Sequence, residues 1–529
     1  MTRTTTTTMA LSFSLLLSIW PLLVGVCAIY CLSIAVYRRY FSPLASIPGP
    51  FFNAISYLPI LYQQGILEGQ LLHALEIWHA QYGPIIRISP NEIHLSSPEH
   101  YETIYSNSLR TGFYKDPAFY GPMEGPIKTP VMLTMIPNEE HRVRRMGMNP
   151  FFSRRSVLGL EQIVRDKTEK LVKMAEQFLS QKGGEFDVHR ATRALTVDII
   201  TEYAYAKSWN YMDLADWQGY QEAIRAVQTF FPWFQTFPSL VPVFGLVPDW
   251  VMVKLYPHFG KWFDSLEVVQ QSVAEVKRDI ALGIKPPRRT IFHELIDPEL
   301  SETTKDLPSR QKLPDAVVFA DAVNVTGAGV ETTGATICRA LYEVLDSPEI
   351  ARKLREELKT ALPDPFVVQN MSLIELEKVP YLTGVIKETL RLSPGVPGHL
   401  PRVVPSSGAT FDGYTLPPGT VVSMSAWSMH HNTEIFPDPD KFDPTRWTDP
   451  DVDAVHAREK CLVSFGRGTR NCTGQNLAMC ELYYSVASMI RRWDDLKVHP
   501  DFGREDMKLV EFLLSYHPKK ARKLKLVRG

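Results

Sequence analysis

The chain has 529 residues, 45% hydrophobic and 22% charged, with 57 Lys and Arg against 58 Asp and Glu. This composition excludes a disordered, collagen-like or disulfide-scaffolded chain, and a formal net charge of -1 gives no electrostatic reason to expect nucleic acid as a ligand. Six cysteines with no CxxC pair leave a four-cysteine zinc site unsupported, and length alone predicts two or three domains.

In chain order, the first element is apolar. Residues 10–36 carry no charge, enough to span a hydrocarbon core that needs about 20 helical residues. A cleaved signal peptide has a shorter apolar run of about 7 to 15 residues, so a retained transmembrane anchor is expected over 10–37, behind a tail at 1–9. Arg38 and Arg39 follow the segment and only Arg3 precedes it, which places the bulk of the chain in the cytosol by a margin of one charge. Ile47-Pro48-Gly49-Pro50 cannot continue a helix, so 38–50 reads as a stiff proline-rich hinge before a globular part at 51–529.

Alternating patterns predict short strands with turns at 85–95 and 409–424, and helical periodicity predicts helices over 154–180, 313–345, 349–362 and 376–392. The expected class is mainly α with a small β region. Between the first two helices, 230–250 is crowded with aromatics and broken by proline; a membrane-dipping surface, a substrate entrance and an ordinary buried loop all fit it. Earlier still, His141, Arg142, Arg144 and Arg145 form a basic run of the kind usually found at a surface.

Three motifs carry chemistry. Ala328-Gly329-Val330-Glu331-Thr332-Thr333 lies in the predicted helix 316–345, where Gly327 and Gly329 each cost roughly 1 kcal/mol relative to alanine. A small-residue helix crossing with an exposed acid is the ordinary explanation of such a segment. Glu388 and Arg391 are spaced i, i+3 and so share a helical face, in most proteins as a solvated ion pair of less than about 1 kcal/mol. Finally, Phe465-Gly466-Arg467-Gly468-Thr469-Arg470-Asn471-Cys472-Thr473-Gly474 surrounds one cysteine with glycines just before an apolar-patterned helix. Arg470 and that helix's N-terminus favour the thiolate, the form that ligates metal; a structural loop holding a buried free cysteine fits equally well.

Together, in this order, the motifs resemble the cytochrome P450 family. The cysteine segment is similar to its haem-binding loop FxxGxRxCxG, AGVETT to its (A/G)Gx(D/E)T(T/S) helix segment, and Glu388-Thr389-Leu390-Arg391 to its ExxR. The resemblance implies the cytochrome P450 fold as one large domain, against the length-based expectation. It implies haem b as cofactor, with Cys472 as the axial thiolate that donates electron density to iron and favours O–O cleavage, and Ala328, Gly329, Phe465 and Gly474 lining the haem. Glu331 and Thr332 would route protons to bound oxygen. Glu388, Arg391 and Arg446 would form a structural triad beneath the loop, although Thr445 stands where the family more often has an acid. His141, Arg145, Arg402 and Arg470 would meet the haem propionates, with His141 in place of the family's tryptophan. Substrate contacts would come from Val325, Ala328, Thr332, Gly395 and Val396, with further residues between Arg110 and Val131.

No GxGxxG or GxxxxGK(S/T) is present, so the chain shows no nucleotide site by these signatures. Electrons would then come from NADPH through a membrane-bound cytochrome P450 reductase, with cytochrome b5 as a second donor, docked at the basic run around His141. The implied protein is a single-pass endoplasmic reticulum enzyme with a cytosolic catalytic domain. It would hydroxylate or epoxidise a lipophilic small molecule with dioxygen. The wording of the motifs is similar to fungal secondary-metabolism members, the trichodiene-oxygenase-like group among them, which points to a terpenoid ahead of a polyketide or alkaloid. The alternatives are an isomerase, dehydratase or peroxygenase on the same fold, and a non-catalytic haem sensor or carrier.

Overall fold

The computed structural model describes residues 20–106, 108–127, 129–214, 217–300, 312–364 and 368–529. Its organising element is the helix Asp315–Asp346, at 32 residues about 48 Å long. Buried residues occur on all its sides, so it needs neighbours all round. It packs against the helices Val188–Tyr205, His258–Ala281, Pro380–Leu392 and Gln475–Arg492. Asp315 in its first turn suits the helix dipole, and it stops at Ser347, whose hydroxyl accepts from the Ile350 amide and caps the next helix, Pro348–Ala361. The helix Arg154–Leu179 likewise starts at Ser153, which accepts from the Ser156 amide.

The expected helix over 376–392 is two helices. Leu373–Leu376 ends before Pro380, which cannot continue a helix but opens the next one, Pro380–Leu392. The predicted strand region 85–95 is a hairpin, Ile85–Ser89 with Glu92–Leu95. Glu92–Leu95 pairs in parallel with Val421–Ser423, then come Arg402–Val403 and Tyr114–Lys115, making a five-stranded sheet. This register sets Lys115 directly opposite Arg402. The largest buried apolar cluster draws on residues from Met148 to Leu526, with a smaller one around the sheet, so the helical bulk shares one core rather than dividing as length suggests.

At the N-terminus, the apolar helix Trp20–Phe41 stands clear of the rest, with none of its apolar window buried. The expected anchor residues 10–19 and the tail 1–9 lie outside the described residues. The helix runs past the predicted boundary at 37, ending in a π turn, Tyr37–Phe41, that carries Arg38 and Arg39. The predicted hinge is fastened down: Leu44 and Ile47 are buried, and the Arg87 amide donates to Pro48 O at 2.7 Å. The buried Arg87 guanidinium donates to Arg38 O at 2.8 Å and Pro90 O at 2.7 Å.

The aromatic stretch divides. It forms the short helices Phe231–Thr236, Leu240–Phe244 and Asp249–Leu255. Phe230, Phe234 and Phe244 pack on one another, with Phe259 against Phe230 and Phe244, while Leu246, Trp250 and Leu255 are 82%, 70% and 78% exposed. The first of these helices touches the segment 58–66, and Phe51, Phe52 and Leu58 are exposed in the same N-terminal region.

Replacing Arg87 by methionine keeps the apolar stem but leaves those carbonyls without their donor. The expected cost is about 3 kcal/mol, read as a melting temperature several degrees below wild type in the same detergent.

Candidate active site

The cysteine loop is shaped by two glycines with positive φ, Gly466 at 65° and Gly468 at 69°. A Cβ on Gly468 would lie 1.9 Å from Ser106 O, so no other residue fits there. The Cys472 amide closes the loop onto Phe465 O at 2.7 Å, and the helix Gln475–Arg492 begins three residues later. Cys472 is surrounded by protein yet exposed by surface area, as is Ala328 in the middle of the central helix, so both border interior space. Burial pushes the Cys472 thiol above its ordinary pKa, against the opposing pull of the Gly474 amide and Arg145. The expectation that Arg470 favours the thiolate is corrected: its guanidinium points away, to Met135 O at 2.8 Å and Ile136 O at 3.0 Å. A metal cation deprotonates a coordinating thiol outright.

Beneath the loop, Glu388 and Arg391 are fully buried and doubly bonded, at 2.8 and 3.0 Å, in place of the usual solvated pair. Arg446 reaches Glu388 at 3.3 Å, and the Trp447 indole N–H, which the sequence reading missed, donates to it at 2.9 Å. Arg391 also donates to His430 O, Pro439 O and Lys441 O. His430, also missed, joins this network to the loop. The Val463 amide donates to its Nε2 at 2.9 Å, so Nδ1 carries the proton and donates to Arg391 O at 2.8 Å. Ser464 Oγ donates to Leu390 O at 2.8 Å, a second tie between loop and helix.

The basic run does not form one surface face. Arg142 is exposed and paired with Glu139, Arg144 turns in to buried Asp321 at 2.7 Å, and Arg145 clamps the cysteine loop at Asn471 O, 2.7 Å, and Thr469 O, 2.9 Å. His141 is buried rather than at the surface. A helix spreads consecutive side chains around its axis, which disperses the expected docking patch.

His141 instead sits, as a neutral imidazole, among a group of cations. Burial and the charges of Arg470, Lys115, Arg145 and Arg402 push its pKa down to about 2. Arg470 is lowered to about 10 by burial and Arg402, and Lys115 is held well below its ordinary value by burial, Arg402 and Arg470. Among the described residues, none of Lys115, Arg145, Arg402 and Arg470 makes an ion pair with a carboxylate. Lys115 lies 4.5 Å over the Tyr120 ring and Arg402 donates to the Tyr120 hydroxyl at 3.0 Å. Neither Lys115 nor Tyr120 carries a motif; the strand register sets Lys115 opposite Arg402, and Tyr120 ends the short helix Pro117–Tyr120 that follows.

On the central helix, Thr332 Oγ1 donates to Ala328 O at 2.8 Å, one turn back on the same face. A Cβ on Gly395 would lie 2.9 Å from Thr332 Cβ, and Val325 falls two turns before Thr332, so these candidates converge; half-buried Val396 packs on the main core. Gly329 does not line this face. Its Cβ would lie 3.0 Å from Ile200 Cγ1, so it lets the helix Val188–Tyr205 approach closely. Glu331 is also elsewhere: buried, it pairs with Arg193 at 2.9 Å and accepts from Gln221 at 3.1 Å. The structure therefore does not bring the Glu331 carboxylate to the Thr332 hydroxyl.

The family model for cytochrome P450 matches residues 49–522. The chain belongs to the cytochrome P450 family. It is similar to the cytochrome P450 monooxygenase MO6277 of Ascocoryne sarcoides, 32% identical over 507 residues, 93% of this chain and 95% of the relative. Conidiogenone synthase PchP450 of Penicillium rubens is 33% identical over 465 residues, 87% and 89% of the two chains. The cytochrome P450 monooxygenase TRI4 of Trichoderma arundinaceum is 31% identical over 500 residues, 94% and 93%. The family's cofactor is haem, and the donor set here fits it: a cysteine facing interior space, and buried cations that repel one another without an acid to offset them, as a dianionic propionate edge requires.

Two substitutions test this cytochrome P450 site. Glu388→Ala leaves Arg391 buried and unpaired at roughly 3–5 kcal/mol, so chemical denaturation is expected at lower denaturant, with reduced haem content. Lys115→Met relieves repulsion in the haem-free protein and removes a propionate partner in the loaded one. The haem-free form is expected to melt no lower than wild type, while the loaded form melts lower and transfers haem to apomyoglobin about tenfold faster.

Proposed function

We propose that this cytochrome P450 monooxygenase is an anchored endoplasmic reticulum enzyme with its catalytic domain in the cytosol, oxidising a lipophilic terpenoid or related secondary metabolite. The observation that carries the catalytic part is that Cys472 and the Ala328–Thr332 face both border interior space while a set of unbalanced buried cations stands nearby. When bound, the haem supplies dioxygen activation, and electrons come from NADPH through a membrane-bound reductase, with cytochrome b5 as an accessory donor. His141, Lys115, Arg402 and Arg470 would hold the propionates, and Arg145 would hold the loop that presents Cys472.

Thr332 is the hydroxyl placed to hold and pass a proton at the oxygen face, since its donor already bonds a neighbouring carbonyl and can turn. Glu331 acts as a positioning residue that ties the central helix to Arg193 and Gln221. Val325, Ala328, Gly395 and Val396 shape an apolar substrate space beside Thr332. The exposed apolar residues of 240–255 and 51–58 would rest on the bilayer beside the anchor, and the fungal relatives support a secondary-metabolite substrate.

The deciding measurement is the carbon monoxide difference spectrum of the reduced protein in membranes. Wild type is expected to show a strongly red-shifted Soret band that Cys472→Ser abolishes; an ordinary haem band in folded wild type would defeat the assignment. Thr332→Ala is expected to keep that band but lower product formed per NADPH consumed by about 10-fold or more, measured with reconstituted reductase.

A further inference from the structure

Away from the cysteine, a pocket of about 110 Å³ opens between the N-terminal helices, the sheet, the helix Phe231–Thr236 and the hairpin of Val510–Phe512 with Leu514–Tyr516. Its lining holds three carboxylates, Glu92, Asp116 and Glu511, with His399 and Gln64, and no lysine or arginine. Glu92 accepts from Ser423 at 2.7 Å, Asp116 from the Ala118 amide at 3.2 Å, and Glu511 from Gln64 and from the Leu513 amide at 3.0 Å. None of the three is paired with a cationic side chain of lysine or arginine among the described residues.

Two independent features mark the pocket as a receptor for a donor or cation. Gln64 is 6% exposed and its Oε1, a buried acceptor, has no partner; His399, also 6% exposed, has an unpartnered Nδ1. The walls that are not acidic are aromatic, with Tyr57, Phe119, Phe231 and Phe512 among them, and π faces beside carboxylates suit an ammonium group. Burial raises Glu92 to about 7, and burial together with Glu92 raises Asp116 to about 6, so both carboxyls titrate near neutrality. The other titratable and charged groups facing them are His399, whose Nε2 lies 3.7 Å from Glu92, Glu511 and Tyr57, with Arg38 and Arg87 beyond Tyr57.

A short stretch of chain joins the pocket to the site. A Cβ on Gly398 would lie 2.5 Å from Glu511 Oε1, while Gly395 touches Thr332. The four residue steps from Gly395 to His399 span at most about 14 Å.

We propose that this pocket binds an ammonium group carried by an apolar molecule whose body extends toward Thr332. The substrate direction rests on the reading of Thr332 given above; the ammonium site does not. Two sources supply this chemistry, a soluble amine ligand and the choline head group of a bilayer lipid.

The test uses the full-length, haem-loaded protein in nanodiscs and isothermal titration with 3-phenylpropyltrimethylammonium, whose quaternary nitrogen has no lone pair for iron, beside neutral 3-phenylpropanol. At pH 7.5 wild type is expected to bind the cation at least tenfold tighter than either Glu92→Gln or Asp116→Asn. That ratio should shrink toward pH 5.5 as the carboxyls protonate, and phenylpropanol should not distinguish the three proteins. Asparagine also caps a helix, so Asp116→Asn keeps the test open if Glu92→Gln does not fold. Equal cation affinity in wild type and variants overturns the proposal. Tight binding in both phosphatidylglycerol and phosphatidylcholine discs assigns the site to a soluble ligand; loss in phosphatidylcholine alone assigns it to lipid head groups. The carbon monoxide spectrum of the same samples reports the haem-thiolate separately, so failure of one reading is visible without the other.

Discussion

The site hangs on one fully buried guanidinium. Arg391 uses Nε and Nη2 on Glu388 and its remaining donors on three backbone carbonyls, at His430, Pro439 and Lys441. A buried ion pair adds little net stability over an apolar pair of the same volume, but removing one partner strands the other. Its value here is geometric. It fixes the irregular chain from 430 to 447, which in turn carries His430 and Trp447, and His430 holds the strand of chain that leads into the cysteine loop. With no regular secondary structure between Thr448 and the loop beyond one short helix, Val452–Cys461, that network replaces a strand or helix ladder as the support of Cys472.

On the far side of the sheet, charge is separated where the strand Tyr114–Lys115 runs on into the extended residue Asp116. Lys115 faces Arg402, Arg470 and His141, while the next residue, Asp116, faces Glu92 and His399. Consecutive residues of extended chain point to opposite faces, so this short extended stretch divides a cationic chamber suited to propionates from an acidic pocket suited to a cation. Neither chamber neutralises itself with side chains of its own, which is what distinguishes both from the many surface ion pairs of this chain.

Much of the frame is written in local pattern. The central helix, expected over 316–345, spans Asp315–Asp346, because apolar residues all round and a proline before its start leave few alternatives. The three motifs survive translation into structure where their spacing is short: Glu388 with Arg391 on one helical face, Cys472 closed onto Phe465, Ala328 with Thr332. Reading fails where two distant segments meet. Gly329 looked like part of the haem lining and is a contact with Ile200; Arg470 looked like the thiol's partner, and the cation that acts on the thiol is Arg145. The presumed hinge at 38–50 is bolted to Arg87, a residue with no motif around it.

The sequence by itself determined the membership in the cytochrome P450 family, the mainly helical class, the cysteine and the apolar N-terminal segment, because each depends on residues a few positions apart or on composition. Only the tertiary structure decided which cations face the interior, that Glu331 is spoken for by Arg193, and that Lys115, Tyr120, His430 and Trp447 belong to the site. Those assignments depend on sheet register and helix packing between segments hundreds of residues apart, and the direction of a side chain across such a gap is set by packing rather than by its neighbours in the chain.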